Sequence, residues 1–110
     1  MANTFKRKAS QNVGTSAVTV GSYTVGSSTQ TTLIGLSIAN KHANTLSVDV
    51  EHYDGATATY IVKDAPVPAG GALVVVGADQ KVVLETGDSV RVTSSEPTSC
   101  DVLMSLLEIT

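Results

Sequence analysis

The residues able to do chemistry in this sequence are few: His42, His52, Cys100 and a set of carboxylates led by Asp49, Glu51 and Asp54. The two histidines lack the His-x-His or His-x-x-x-His spacing of metal sites, and a lone cysteine offers no thiolate pair for zinc. Asp49-x-Glu51-x-x-Asp54-Gly55 has the outline of a calcium loop. It fails, because Tyr53 stands where an oxygen ligand belongs and the glycine is displaced by one position. There is no Gly-x-Ser-x-Gly elbow, phosphate loop or dinucleotide fingerprint. His52 lies on the apolar side of an alternating segment, so a satisfied interior histidine explains it better than a ligand. Cys100 has no basic neighbour in sequence to lower its pKa and reads as an inert, small apolar residue. These residues predict no enzyme, no metal and no cofactor.

The elements that would position them are strands. The chain has 110 residues, 16 of them Val and 26 Ser or Thr, against one Phe, three Tyr and no Trp. β-Branched side chains fit a pleated surface and lose rotamer freedom in helices. At this length one domain with one core is expected. The longest apolar run, Ala72 to Val76, is far too short for a transmembrane helix, and the charged start Phe5-Lys-Arg-Lys8 is unlike a signal peptide. No membrane partner is expected. A single cysteine suits a reducing compartment or a particle assembled in one.

Along the chain, residues 1–15 show no periodicity and read as an extended N-terminal arm, leaving 16–110 as the folded domain. Val18, Val20, Tyr23 and Val25 mark a strand bent at Gly21. Ile34, Leu36 and Ile38 alternate with Gly35, Ser37 and Ala39, a strand with one face of small residues. Leu46, Val48, Val50 and His52 alternate with Ser47, Asp49, Glu51 and Tyr53, which predicts a core face and a solvent face. Asp54-Gly55 then turns this strand into a hairpin over residues 46–63. Pro66 and Pro68 lack the N–H donor of an interior strand, so 65–71 is expected to be a loop crossing between sheets. Strands at 72–76, 81–85 and 89–93 follow, with a turn over 77–80 between the first two. The last segment, 100–110, fits a helical stripe through Leu103, Leu106 and Leu107 or a strand with Val102, Met104 and Leu106 on one face. Its setting among strands favours the strand, with Leu103, Leu107 and Ile109 on the other face. Apolar on both sides, such a strand is either covered twice or packed against another subunit. The sum is an all-β fold: an eight-stranded antiparallel β-sandwich or jelly roll with an extended N-terminal arm.

The formal charge of −3 is unevenly spread. Residues 1–11 carry +3 (Lys6, Arg7, Lys8), while residues 12–110 hold four basic and ten acidic residues, giving −6. Three cations without a companion basic patch would give only weak, salt-sensitive nucleic-acid binding, so no nucleic-acid partner is expected. A segment that reaches an acidic neighbouring subunit fits better, with Phe5 as its apolar anchor. The expected partner-binding residues are Phe5, Lys6, Arg7, Lys8, Leu103, Leu107 and Ile109.

The stretch from Tyr60 to Ser95, which includes Asp64-Ala-Pro-Val-Pro-Ala-Gly-Gly-Ala-Leu-Val-Val-Val-Gly77, resembles small structural proteins of tailed-bacteriophage virions. The opening Met1-Ala-Asn-Thr-Phe-Lys-Arg-Lys8 and the ending Ser105-Leu-Leu-Glu-Ile-Thr110 look like the same group. Within it, capsid decoration (cement) proteins are the most similar in size and pattern. The resemblance implies a non-enzymatic virion protein, assembled in the host cytoplasm. It would be present in many copies or as a homo-oligomer, with the major capsid protein as partner. A neck or tail component, or a host-surface carbohydrate-binding module, is the alternative it leaves open.

Overall fold

The computed structural model describes residues 3–77 and 81–110; residues 78–80 of the expected 77–80 turn lie outside them. Nine strands follow one another: β1 (Asn3–Val13), β2 (Val18–Thr24), β3 (Gln30–Asn40), β4 (Leu46–Tyr53), β5 (Ala58–Val67), β6 (Ala72–Val76), β7 (Val82–Leu84), β8 (Ser89–Ser94) and β9 (Cys100–Ile109). No helix occurs among the described residues. All ladders are antiparallel. The front sheet runs β1-β9-β3, and β3's far edge is shared by β7 at its start and β6 at its end; the back sheet runs β2-β8-β4-β5.

The core lies between the sheets, where alternation puts it. Leu33, Leu36, Ile38, Val102, Met104 and Leu106 face inward from the front sheet, and Val20, Leu46, Val48, Val50, Val90 and Val92 from the back sheet. The last segment is a strand as expected, paired on both sides. Register shifts explain where simple alternation misleads. A bulge between Leu33 and Gly35 turns Ile34 out of phase, so Leu33 takes the core position. The expected bend in β2 is a bulge, with Gly21 and Ser22 at φ of 60° and 53°. The hairpin turn closes as Asp54 Oδ1 accepts the N–H groups of Ala56 and Thr57 at 2.9 and 2.6 Å. These donors hold the Asp54 carboxyl below the usual carboxylate range.

Two expectations are corrected. Pro66 lies within β5, which continues to Val67 before the chain crosses to β6. β5 is an edge strand, so one missing N–H there disrupts no inner ladder. Residues 3–13, read as an extended arm, instead form β1, so the sandwich has nine strands rather than eight. β1 runs antiparallel to β9 from Asn3↔Ile109 to Val13↔Cys100, with a shift between Ser10 and Val13. Polar residues without apolar periodicity still form a strand here, because the neighbour offers a complete row of backbone donors and acceptors.

β1 also closes one side of the sandwich by crossing close to β2. Gly21 N donates to Ser10 Oγ at 2.8 Å. A Cβ at Gly21 would sit 2.5 Å from Lys8 Cβ, so glycine serves both the positive φ and the close approach. Gly21→Ala is therefore expected to cost about 1–3 kcal/mol of stability. Urea denaturation would read the loss, and hydrogen exchange should show residues 6–10 losing protection before the rest of the front sheet. Unchanged exchange in β1 would contradict the close approach.

Candidate docking surface

Register sorts the expected partner-binding residues onto two different faces. Phe5↔Leu107, Arg7↔Ser105 and Ala9↔Leu103 oppose one another on the outer side of the front sheet, and Lys6↔Leu106 and Lys8↔Met104 on the inner side. β3 extends the outer rows with Thr32, Gly35, Ser37 and Ala39; β7 adds Val83, and β6 adds Val74 and Ala72. The outer face thus displays Phe5 at 76% exposure, Val74 at 68%, Val83 at 65% and Leu103 at 51%. Only Tyr60, on β5 of the back sheet, is another large apolar side chain this exposed among the described residues. Between the protruding side chains the floor is Gly35, Ser37, Ala39 and Ser105. Hollows of about 300 and 180 Å³ flank Leu103, the larger beside Ala9, Ala39 and Asp101 and the smaller beside Gly35, Val74 and Ser105. Leu107 and Ile109 are half-buried.

The three cations of β1 have separate fates. Lys6 Nζ pairs with Glu108 Oε1 at 3.1 Å, and Lys8 Nζ stands 5.7 Å from the centre of the Tyr23 ring. Tyr23, itself buried, donates from its hydroxyl to Glu108 Oε2 at 2.5 Å and bonds Thr31 Oγ1 at 2.9 Å. These contacts fasten β1 along the edge of the core. Burial first, then the bond to Glu108, pushes the Tyr23 phenol up to about 12. The Tyr23 donor and Lys6 hold the Glu108 carboxyl below its usual range. Arg7 has no ion-pair, hydrogen-bond or ring partner among the described residues.

On the same outer face Asp101 accepts Lys41 Nζ at 2.9 Å and Asn12 N at 3.0 Å, both on Oδ1. Lys41 first, then the Asn12 amide, keeps the Asp101 carboxyl ionised to lower pH than usual. Val74, Val83 and the small floor were not singled out as contact residues from sequence. Their signals were present, in the small-residue face of β3 and the apolar run of β6, but only strand pairing places them beside Leu103.

The other chemistry-bearing residues hold the fold. Asp88 Oδ2 accepts Glu85 N at 2.8 Å and bonds His52 Nε2 at 2.9 Å, fixing the turn between β7 and β8. Asp54, Glu85 and Asp88 border an open cleft of about 470 Å³ with Thr29, Gln30 and Thr86. Glu51, expected on a solvent face, is buried: Arg91 bonds its Oε1 at 2.6 Å and stacks on Tyr53 at 3.7 Å. Cys100 is fully buried beside Ser94 and Ser99, and desolvation raises its pKa. Among the described residues no group of three His, Cys, Asp or Glu is placed to hold a metal ion.

No protein-family profile matches the chain, and no curated protein matches it in sequence. Its fold is similar to that of a chain from Bacillus endospore appendages, described as a family of disulfide-linked pili. That match has a TM-score of 0.58 and 13% identity, over 98% of this chain and 88% of the other. It is also similar to VP2 of an infectious bursal disease virus subviral particle, with a TM-score of 0.50 and 12% identity, over 96% of this chain and 32% of that one. At these identities the likeness is one of fold: two packed antiparallel sheets.

The fastening of β1 has a defined pH dependence. Glu108 is depressed in the folded state, so its contribution is complete above the ordinary carboxylate value of about 4.3 and is lost as pH falls through the folded value. Tyr23 is raised, so its contribution is complete below 10.0 and is lost as pH climbs through about 12. Glu108→Gln is expected to flatten the acid-side fall in stability and to loosen β1 at neutral pH. Urea midpoints across pH, with hydrogen exchange at residues 4–8, would check both effects.

Proposed function

We propose that this protein is a non-enzymatic structural protein of a tailed-phage virion, a capsid decoration protein that clamps neighbouring major capsid subunits on the outer shell. The observation that carries the reading is the outer face of the front sheet. There the sandwich presents Phe5, Val74, Val83 and Leu103 to solvent around Arg7, which has no partner among the described residues, and an exposed apolar face of this kind marks a docking surface.

We read the strand order, β1-β9-β3-β6 against β2-β8-β4-β5, as a jelly roll, an architecture common in viral capsid and lectin domains. The similarity in fold to VP2 of a subviral particle supports the virion side of that choice. The sugar-binding side has less support. Tyr23 is buried and Tyr53 lies under Arg91, so among the described residues Phe5 and Tyr60 are the well-exposed aromatic rings, and they lie on different sheets, where they cannot form one stacking platform. The bond named for the disulfide-linked pili is closed to this chain while it is folded, because its one cysteine is fully buried.

The contact surface comprises the outer face (Phe5, Arg7, Leu103, Leu107), the free edge of β1 with Lys6 and Lys8, and Ile109 at the end of β9. A clamp that binds the expanded shell stabilises it by mass action, and repetition over a particle makes a modest contact decisive. Quantitative mass spectrometry of purified virions tests the proposal. A copy number comparable with that of the major capsid protein is expected, and protein added back to depleted shells should raise their melting temperature. A single ring's worth of copies per particle, or no effect on shell melting, would overturn it.

A further inference from the structure

We propose that the outer face of the front sheet is an isologous interface, on which a second copy of this chain packs face to face with its two-fold axis crossing the strands at Leu103. The inference rests on reading that face as the contact surface, and it divides the surface: the face takes the second copy, and the stretch of β1's edge before its crossing with β2, with Ile109, is left for the shell.

The geometry comes from the rows. Leu103, flanked by Ala9, Ser37 and Val74, is the central row. Arg7, Ser105 and Gly35 form the row two residues along β9 to one side, and Asp101, Ala39 and Ala72 the row two residues to the other. At about 3.4 Å per residue each row lies roughly 7 Å from Leu103. A two-fold axis across the strands lays the first of these rows over the second row of the other copy. Arg7 of one copy then stands over the hollow beside Ala9, Ala39 and Asp101 of the other, and the same contact recurs on the far side of the axis. Face-packed sheets lie about 10 Å apart, a gap that an arginine side chain spans.

Charge singles out a second copy as the occupant. Arg7 is a cation without a partner among the described residues. Asp101 is 41% exposed, and its two contacts fall on one oxygen, leaving Oδ2 open. A free cation and a half-free carboxylate, offset by two residues to either side of the Leu103 row and on neighbouring strands, make a self-complementary pattern. Elsewhere the body carries the −6 that would repel another copy. Beside these rows Lys41 sits on Asp101 Oδ1, so Arg7 of the other copy meets the carboxylate at Oδ2; the outer positions of the paired strands add no further charge. Leu103 meets its own symmetry mate against small residues, where two sheets can come close.

The test uses the full chain. Analytical ultracentrifugation should show a concentration-dependent dimer, weakened about tenfold or more by Leu103→Glu and by Arg7→Asp. Arg7→Asp combined with Asp101→Arg should restore association, which a merely structural effect of either change would not. Leu103→Cys should give a covalent dimer under mild oxidation, faster than Ser47→Cys on the back sheet, because an axial residue faces itself. Circular dichroism melts of every variant establish that it folds. Wild-type protein that stays monomeric, or a double exchange that restores nothing, overturns the inference. If that monomer still binds shells, the decoration reading stands and the face belongs to the shell. If the dimer forms as described but shells are ignored, the decoration reading falls and the interface stands.

Discussion

β9 is the strand on which the rest of the structure depends. It pairs with β1 on one side and β3 on the other over nearly its whole length. Its inward residues, Val102, Met104 and Leu106, are within 2% of complete burial, while Leu103 is half exposed on the opposite side. The last ten strand residues of the chain therefore complete the core, carry the first strand and set the centre of the outer face. A sheet whose central strand follows all its neighbours in sequence cannot close until that strand is made, so the contacts that matter most are far apart in sequence. Such topologies fold more slowly than those rich in local contacts.

Much of this was legible in the sequence, and the exceptions have physical reasons. Alternation located β2, β3, β4 and β8, and Asp54-Gly55 located the hairpin, because period-two burial and turn chemistry are local. The strand character of residues 100–109 could be argued from setting, but not its place between β1 and β3. β1 was missed because its order comes from a neighbour. Its own residues bury almost nothing except Val13, so no hydrophobic period marks it. Glu51 was misplaced for a related reason: burial on an outer face comes from Arg91, forty positions away. As for the outer face, its apolar members were visible singly, yet only registration across five strands gathers them.

The charge of the first segment also gains a structure. From sequence it is a block of three cations. In the fold alternation separates them: Lys6 and Lys8 turn inward, where Glu108 and the Tyr23 ring receive them, and Arg7 alone turns outward. Snorkelling lysines let a strand with few apolar residues line the edge of a core. Adjacent like charges thus end on opposite sides of one ribbon, two held at the edge of the core and one turned to solvent.

The split far edge of the front sheet, where β6 and β7 share one side of β3, bears on how such a protein avoids fibres. An incoming strand needs a long, flat, unbroken row of free backbone groups. β6 and β7 offer five and three residues, β2 is bulged at Gly21, and β5 carries Pro66. β1, the longest edge at eleven residues, sets Lys6, Arg7 and Lys8 against any like copy. Polymerisation by adding strands is discouraged at every margin of both sheets. Any copies that meet are thereby left their faces, where symmetry can close a contact at a finite size.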